Sequence, residues 1–256
     1  VGPLHDGEMI PGVIDVRPQH LAVSTESAPR VDDLVIQVSP DAPPVPITTP
    51  VTLASTPMQL DENLFSAPGL DNRAGCAALL ALADHLAAGT LPRECTVVLI
   101  GTAQEETTCE GAQSALRVVA PDVAIFIDGT LSYDTPETQH RGQTRLGAGP
   151  VLTSFLYSSG FNGWHAHPGL RAHLLRTAAE RDLPVQQDAV RGLMSDARVA
   201  ARLGIPSALI GLPLRGKHGP LETIHLHDLE NAVELLGAAL ARPLPDLTRR
   251  GRNNAV

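Results

Sequence analysis

The chain has 256 residues, is 43% hydrophobic and has a mean hydropathy of +0.03. That suffices for one large domain, or one domain and a smaller one, and no run of about 18 apolar residues offers a membrane span. A formal charge of -9 argues against nucleic acid or an anionic membrane surface as a main partner. Cys76, Cys95 and Cys109 form no CxxC, which disfavours a disulfide framework and a cysteine zinc knuckle and fits a reducing, cytoplasmic compartment.

The opening VGPLHDGEM has no initiator Met, no basic n-region and no apolar h-region, so it reads as the middle of something longer. Residues 1–60 are expected to be β-rich. GVIDV, LVIQVS and VPITTPVTLAS are short β-branched runs, and Pro40, Pro43, Pro44, Pro46 and Pro50 make long helices implausible. His5 and His20 lie here and read as loop or packing residues.

The texture changes near residue 61. Apolar positions at Cys76, Leu79, Leu80, Ala83, Leu86 and Ala87 predict one face of a helix over 73–88, with Gly89 placed to end it. CTVVLIG (95–101) reads as a strand buried on both faces, followed by a short helix over 112–119. DVAIFID (122–128) and GPVLTSFL read as strands around a polar loop. A helix over 169–181 leads to the strand LPVQQDA, and Ser195 caps a helix running through Leu203. IPSALIGLP (205–213) reads as a buried strand, 228–241 as a closing helix, and LTRRGRNNAV as a frayed basic tail. The expected architecture is a three-layer α/β/α sandwich with a largely parallel mixed sheet over 61–256, plus a small β-domain over 1–60.

Sites in open α/β sheets gather beyond the carboxyl ends of the strands. Glu105 and Glu106 follow one predicted strand, Asp128 ends another, His218 follows a third, and Asp71 precedes a helix. Hard carboxylate oxygens with one imidazole suit Zn²⁺, Co²⁺ or Mn²⁺. Each signal alone is weak, because a Glu pair is usually solvated and an Asp before a helix is usually a cap. The pairs His165/His167 and His225/His227 read as loop and helix-start residues, and Cys109 as a small buried one. Ser158-Ser159-Gly160 lacks the first glycine of a nucleophile elbow.

Taken together, LDNRAG, QEETTCEGA, IFIDGT, GLMSDAR, LPLRGKHGPLETI and DLENAVELL occur in an order that resembles the glutamyl and deblocking aminopeptidases. That family includes twelve-subunit tetrahedral enzymes, and some members carry the label endoglucanase M. The resemblance implies two metal ions per site and a short peptide with a free amino end as substrate. It implies Asp71 as the bridging carboxylate, Glu105 as general base, Glu106 and His218 as ligands of one ion, and Asp128 as ligand of the other. It further implies a cis peptide bond between Asp71 and Asn72, a β-rich start matching part of an inserted dimerisation domain, and a homo-oligomer, dimer-based and up to a dodecamer.

One departure from the family bears on function and two are minor. The family's His-x-Asp motif has no counterpart here, so one or fewer firmly held ions is the expectation. Thr108 and Gly219 stand where Gly and Ser are common. The rival expectations are a metal-poor, non-catalytic assembly or binding subunit, and another metal-dependent amide hydrolase such as a carboxypeptidase or deacylase.

Overall fold

The computed structural model describes residues 9–15, 31–89, 95–158, 163–245 and 247. His5, His20, Ser159, Gly160 and the basic tail after Leu247 lie outside the described residues. Two compact units divide the chain, Val1–Ala54 and Ser55–Val256.

In the first unit, β1 (Gly12–Asp15) pairs antiparallel with β2 (Val35–Val38), with Gly12 opposite Val38. Both expected runs are strands. VPITTPVTLAS is not, because Pro46 and Pro50 have no N–H to give a ladder.

The second unit is built on a mixed sheet. β5 (Ala124–Leu131) runs parallel to β9 (Ser207–Leu214), and β9 antiparallel to β6 (Val151–Tyr157). β6 in turn pairs antiparallel with β7 (Gly163–His165) and parallel with β8 (Gln186–Arg191). A smaller antiparallel sheet joins β3 (Met58–Gln59), β4 (Leu64–Ala67) and β10 (Glu222–His225).

Strand β9 is buried throughout and shows why the layers form. Its alternating Ala208, Ile210, Leu212 and Leu214 pack into one core with α1 (Leu70–Ala87), α3 (Pro168–Glu180) and α5 (Leu226–Leu240). Leu209 points the other way, into a second cluster with Leu156, Trp164 and Ala197 of α4 (Ala197–Arg202). Beside α4 lies α2 (Glu110–Val119), sharing Cys109, Ala112 and Leu116 with Val199 and Ala200. The result is the expected α/β/α arrangement. Leu152 and Leu156 of β6 face opposite cores although they have the same parity, because the register against β8 shifts between Thr153 and Phe155. Among the described residues, no helix is long and apolar enough to cross a membrane.

Two further expectations need correction. Helix α1 buries Ala74, Ala78 and Leu82, while Cys76 is exposed and Leu80 is 70% exposed. Apolar residues surround this helix, so spacing alone did not select the packed face. CTVVLIG forms no strand. Among the described residues β5 ends the sheet on that side, Val98 is 53% exposed, and only Leu99 of the run packs against the main core.

Candidate metal centre

Asp71 lies at the start of α1, Glu106 in the loop before α2, and His218 in the turn between β9 and β10. One donor atom from each lies within 4.8 Å of the other two. His218 Nε2 is 3.2 Å from Asp71 Oδ2 and 3.6 Å from Glu106 Oε2. Among the described residues this is the only such grouping of three or more His, Cys, Asp or Glu side chains.

Local structure explains how Asp71 is aimed. Asp71 and Asn72 depart from helical backbone angles, and the peptide bond between them is cis, as the resemblance implied. Asn72 Nδ2 donates to the Ile127 carbonyl of β5 at 2.7 Å, and its Oδ1 accepts the Gly75 N–H at 3.0 Å. A Cβ on Gly75 would lie 2.2 Å from that Oδ1, so any side chain there would push Asn72 out of its place.

His218 sits in a left-handed conformation, with φ of 64°. Such a position costs energy for a non-glycine residue and needs support from its surroundings. Glu222, 2% exposed, supplies it: its Oε1 accepts the His218 N–H and its Oε2 the Asp71 N–H, each at 2.7 Å.

Glu105 and Glu106 occupy a tight loop in which Gln104 O accepts the N–H groups of Thr108 and Cys109 at 3.1 and 2.8 Å. The loop is pinned to the start of α4, where Thr102 donates to Asp196 and Arg198 donates to Thr108 O. Burial, and then the charges of Asp128, Glu106, Asp196 and Asp71, push the Glu105 carboxyl up to about 8. Cys109 is buried, as expected, and its thiol donates to Glu105 O at 3.5 Å.

Asp128 lies inside β5 rather than at its end, because pairing with β9 continues to Leu131 opposite Leu214. It is 7% exposed and falls outside the three-residue grouping. Burial pushes its carboxyl up; the Ser195 hydroxyl and the Lys217 ammonium oppose this, and the Asp71 charge adds to it. Lys217 Nζ itself donates to Asp71 Oδ2.

The donor set fits a divalent ion. One imidazole nitrogen and two carboxylate oxygens are enough for three protein ligands with an open position, the arrangement of catalytic zinc sites. An open cleft of about 180 Å³ adjoins them, lined in part by Glu105, Thr107, Met194 and Arg198.

Comparison with known proteins gives the family of the chain. The family model described as M42 glutamyl aminopeptidase matches residues 4–235. The chain belongs to that family. The M42 chain is 33% identical to SgcX of Escherichia coli K12 over 239 residues, which is 89% of this chain and 64% of SgcX. It superposes on an aminopeptidase from the archaeon Desulfurococcus kamchatkensis with a TM-score of 0.82 at 26% identity, covering 96% of this chain and 68% of that one. It superposes on the Pyrococcus horikoshii TET1 peptidase with a TM-score of 0.74 at 25% identity, covering 93% of this chain and 70% of that one. The M42 chain therefore spans about two thirds of the length of these relatives.

The histidine pairs take structural places: His167 and His225 precede α3 and α5, and His227 faces Glu230 at 3.9 Å. Sequence reading missed Glu222, Asn72 and Lys217. Glu222 and Lys217 each had a weak signal. Glu222 is a carboxylate set between Leu221 and Ile224, where charge is costly if buried. Lys217 is the one lysine of the chain.

Proposed function

We propose that this M42 chain carries the catalytic part of a metal-dependent aminopeptidase that removes the N-terminal residue from short peptides. The convergence of Asp71, Glu106 and His218 from three separate elements supports this reading most. In it these three residues would hold one ion, Zn²⁺, Co²⁺ or Mn²⁺, and Asp128 with Asp71 would serve a second, more weakly held one. A divalent ion held there supplies Lewis-acid polarisation of the scissile carbonyl. Glu105 is the proposed general base: it lines the cleft beside Glu106 and falls outside the ligand grouping, so it is free to take a proton from the attacking water and return it to the leaving amine. The small cleft suits a chain end rather than a folded partner.

The proposed state is a homo-oligomer, as the TET1 relative assembles into a tetrahedron or an octahedral shell. The first unit exposes Val13, Val31 and Ile47 at 68%, 82% and 93%, which supports residues 1–60 as a dimerisation-type domain. Three free thiols support the cytoplasm as its compartment.

A second reading, a non-catalytic binding subunit, draws on the Lys217 ammonium at Asp71. One assay separates the two. An aminoacyl-nitroanilide should be cleaved with added Zn²⁺ or Co²⁺, its N-acetylated form should not, and chelation should stop turnover. No turnover with any of these metals would favour the binding subunit. Cleavage of the acetylated form would remove the aminopeptidase assignment.

A further inference from the structure

The chain has 19 basic residues, and all but Lys217 are arginine. The two types are not equivalent. Guanidinium is a flat fork, whereas ammonium is a compact point charge that more closely imitates a bare cation. The one lysine is buried at the candidate metal centre: its side chain is 8% exposed, against 3% for Asp71. Its Nζ donates to Asp71 Oδ2, the same oxygen that His218 Nε2 approaches at 3.2 Å.

We infer that Lys217 and a divalent metal ion compete for Asp71 Oδ2: the ammonium is the built-in counter-ion of the metal-free centre, and metal loading displaces it. This inference rests on the metal-site reading above. The surroundings explain why a counter-ion is needed. Asp71 faces Glu106 through His218, and the charges of Asp71, Glu106 and Asp128 all act on Glu105. Carboxylates crowded in this way repel one another when no cation lies among them. An ammonium on Asp71 relieves that repulsion before any metal arrives. A divalent ion coordinated by the same oxygen would lie within a few ångströms of the ammonium, and like charges that close repel strongly in a partly dry site. One oxygen therefore serves one cation or the other.

Zinc titration calorimetry on the full chain tests this with Lys217→Gln, Lys217→Met and Lys217→Arg. The neutral variants should bind Zn²⁺ at least about tenfold more tightly than the unsubstituted chain. Lys217→Arg, which keeps the charge, should bind no more tightly. The second measurement needs no variant. A chain labelled with ¹⁵N-lysine gives one Nζ signal, which should change over the same Zn²⁺ range that saturates the calorimetry. Neutral variants with equal or weaker affinity would overturn the inference while leaving the metal site standing, as would an Nζ signal unmoved by bound Zn²⁺. If neither the unsubstituted chain nor the neutral variants bound Zn²⁺, the metal-site reading would fall and this inference with it.

Discussion

Glu222 Oε2 accepts the backbone N–H of Asp71 at 2.7 Å, and its other oxygen holds the N–H of His218 at the same distance. One buried carboxylate thus fixes two proposed ligands that are remote in sequence. A carboxylate can accept on both oxygens; an amide cannot. Glu222→Gln therefore turns an NH₂ group toward a backbone N–H and leaves a buried donor without a partner. Urea denaturation of the metal-free protein should show a loss of about 1–3 kcal/mol. Zn²⁺ affinity should fall by about tenfold or more. A purely structural role would lower stability but leave the visible spectrum of the Co²⁺-loaded protein unchanged, so a changed spectrum is the decisive reading.

Adjacent Glu105 and Glu106 should separate cleanly. Glu106 Oε2 stands 3.6 Å from His218 Nε2, whereas Glu105 falls outside the ligand grouping. Glu105→Gln should keep its metal and lower kcat by about 10²–10⁴-fold. Glu106→Gln should lose metal, measured by elemental analysis after gel filtration. The opposite pattern would exchange the two roles.

Much of this was legible because period and chemistry agreed. The run IPSALIGLP gave β9, and the helix expected over 169–181 is α3 to within a residue at each end. Where a sequence is apolar on several faces, as in α1, the packed face depends on tertiary partners. The run at 95–101 was strand-like in composition, but a strand also needs a neighbour to pair with. Glu222 and Asn72 escaped because their work is done through backbone N–H and C=O groups, which do not announce their partners in the sequence.

Asp188 offers a test by pH. It lies on β8, where its Oδ2 accepts the Thr144 hydroxyl at 3.2 Å and its Oδ1 is buried without a partner. Burial pushes the carboxyl from 3.8 up to about 6, against the opposing pull of Thr144. The folded chain therefore keeps a proton there over a range in which the unfolded chain has lost it. That contribution is fully present below about pH 4 and is lost as pH rises through about 6. Solvent around this partly buried group limits the effect to about 1 kcal/mol. In urea denaturation, Asp188→Asn should gain stability relative to the unsubstituted chain between pH 4 and pH 8 (roughly the span of this titration). A difference that stayed flat across that range would show that Asp188 titrates normally.

Gly129 makes the last test, because at this position β5 passes close to the Asp71 carboxylate. A Cβ there would lie 2.6 Å from Leu214 Cδ1 and 2.8 Å from Asp71 Oδ1. Leu214 is 1% exposed and cannot retreat freely, so the Asp71 carboxylate must turn. Gly129→Ala should cost about 1–3 kcal/mol by overpacking and weaken Zn²⁺ binding by about tenfold, since a ligand displaced by a fraction of an ångström loses its geometry. Gly211→Ala is the control. Its Cβ would meet Thr130 Cγ2 at 2.8 Å and Val151 Cβ at 3.4 Å, with neither Asp71 nor His218 among its nearest contacts. It should lower the urea midpoint in the same way and leave Zn²⁺ affinity unchanged. If both alanines weakened Zn²⁺ binding equally, the loss would follow from general loosening of the sheet rather than from the contact with Asp71.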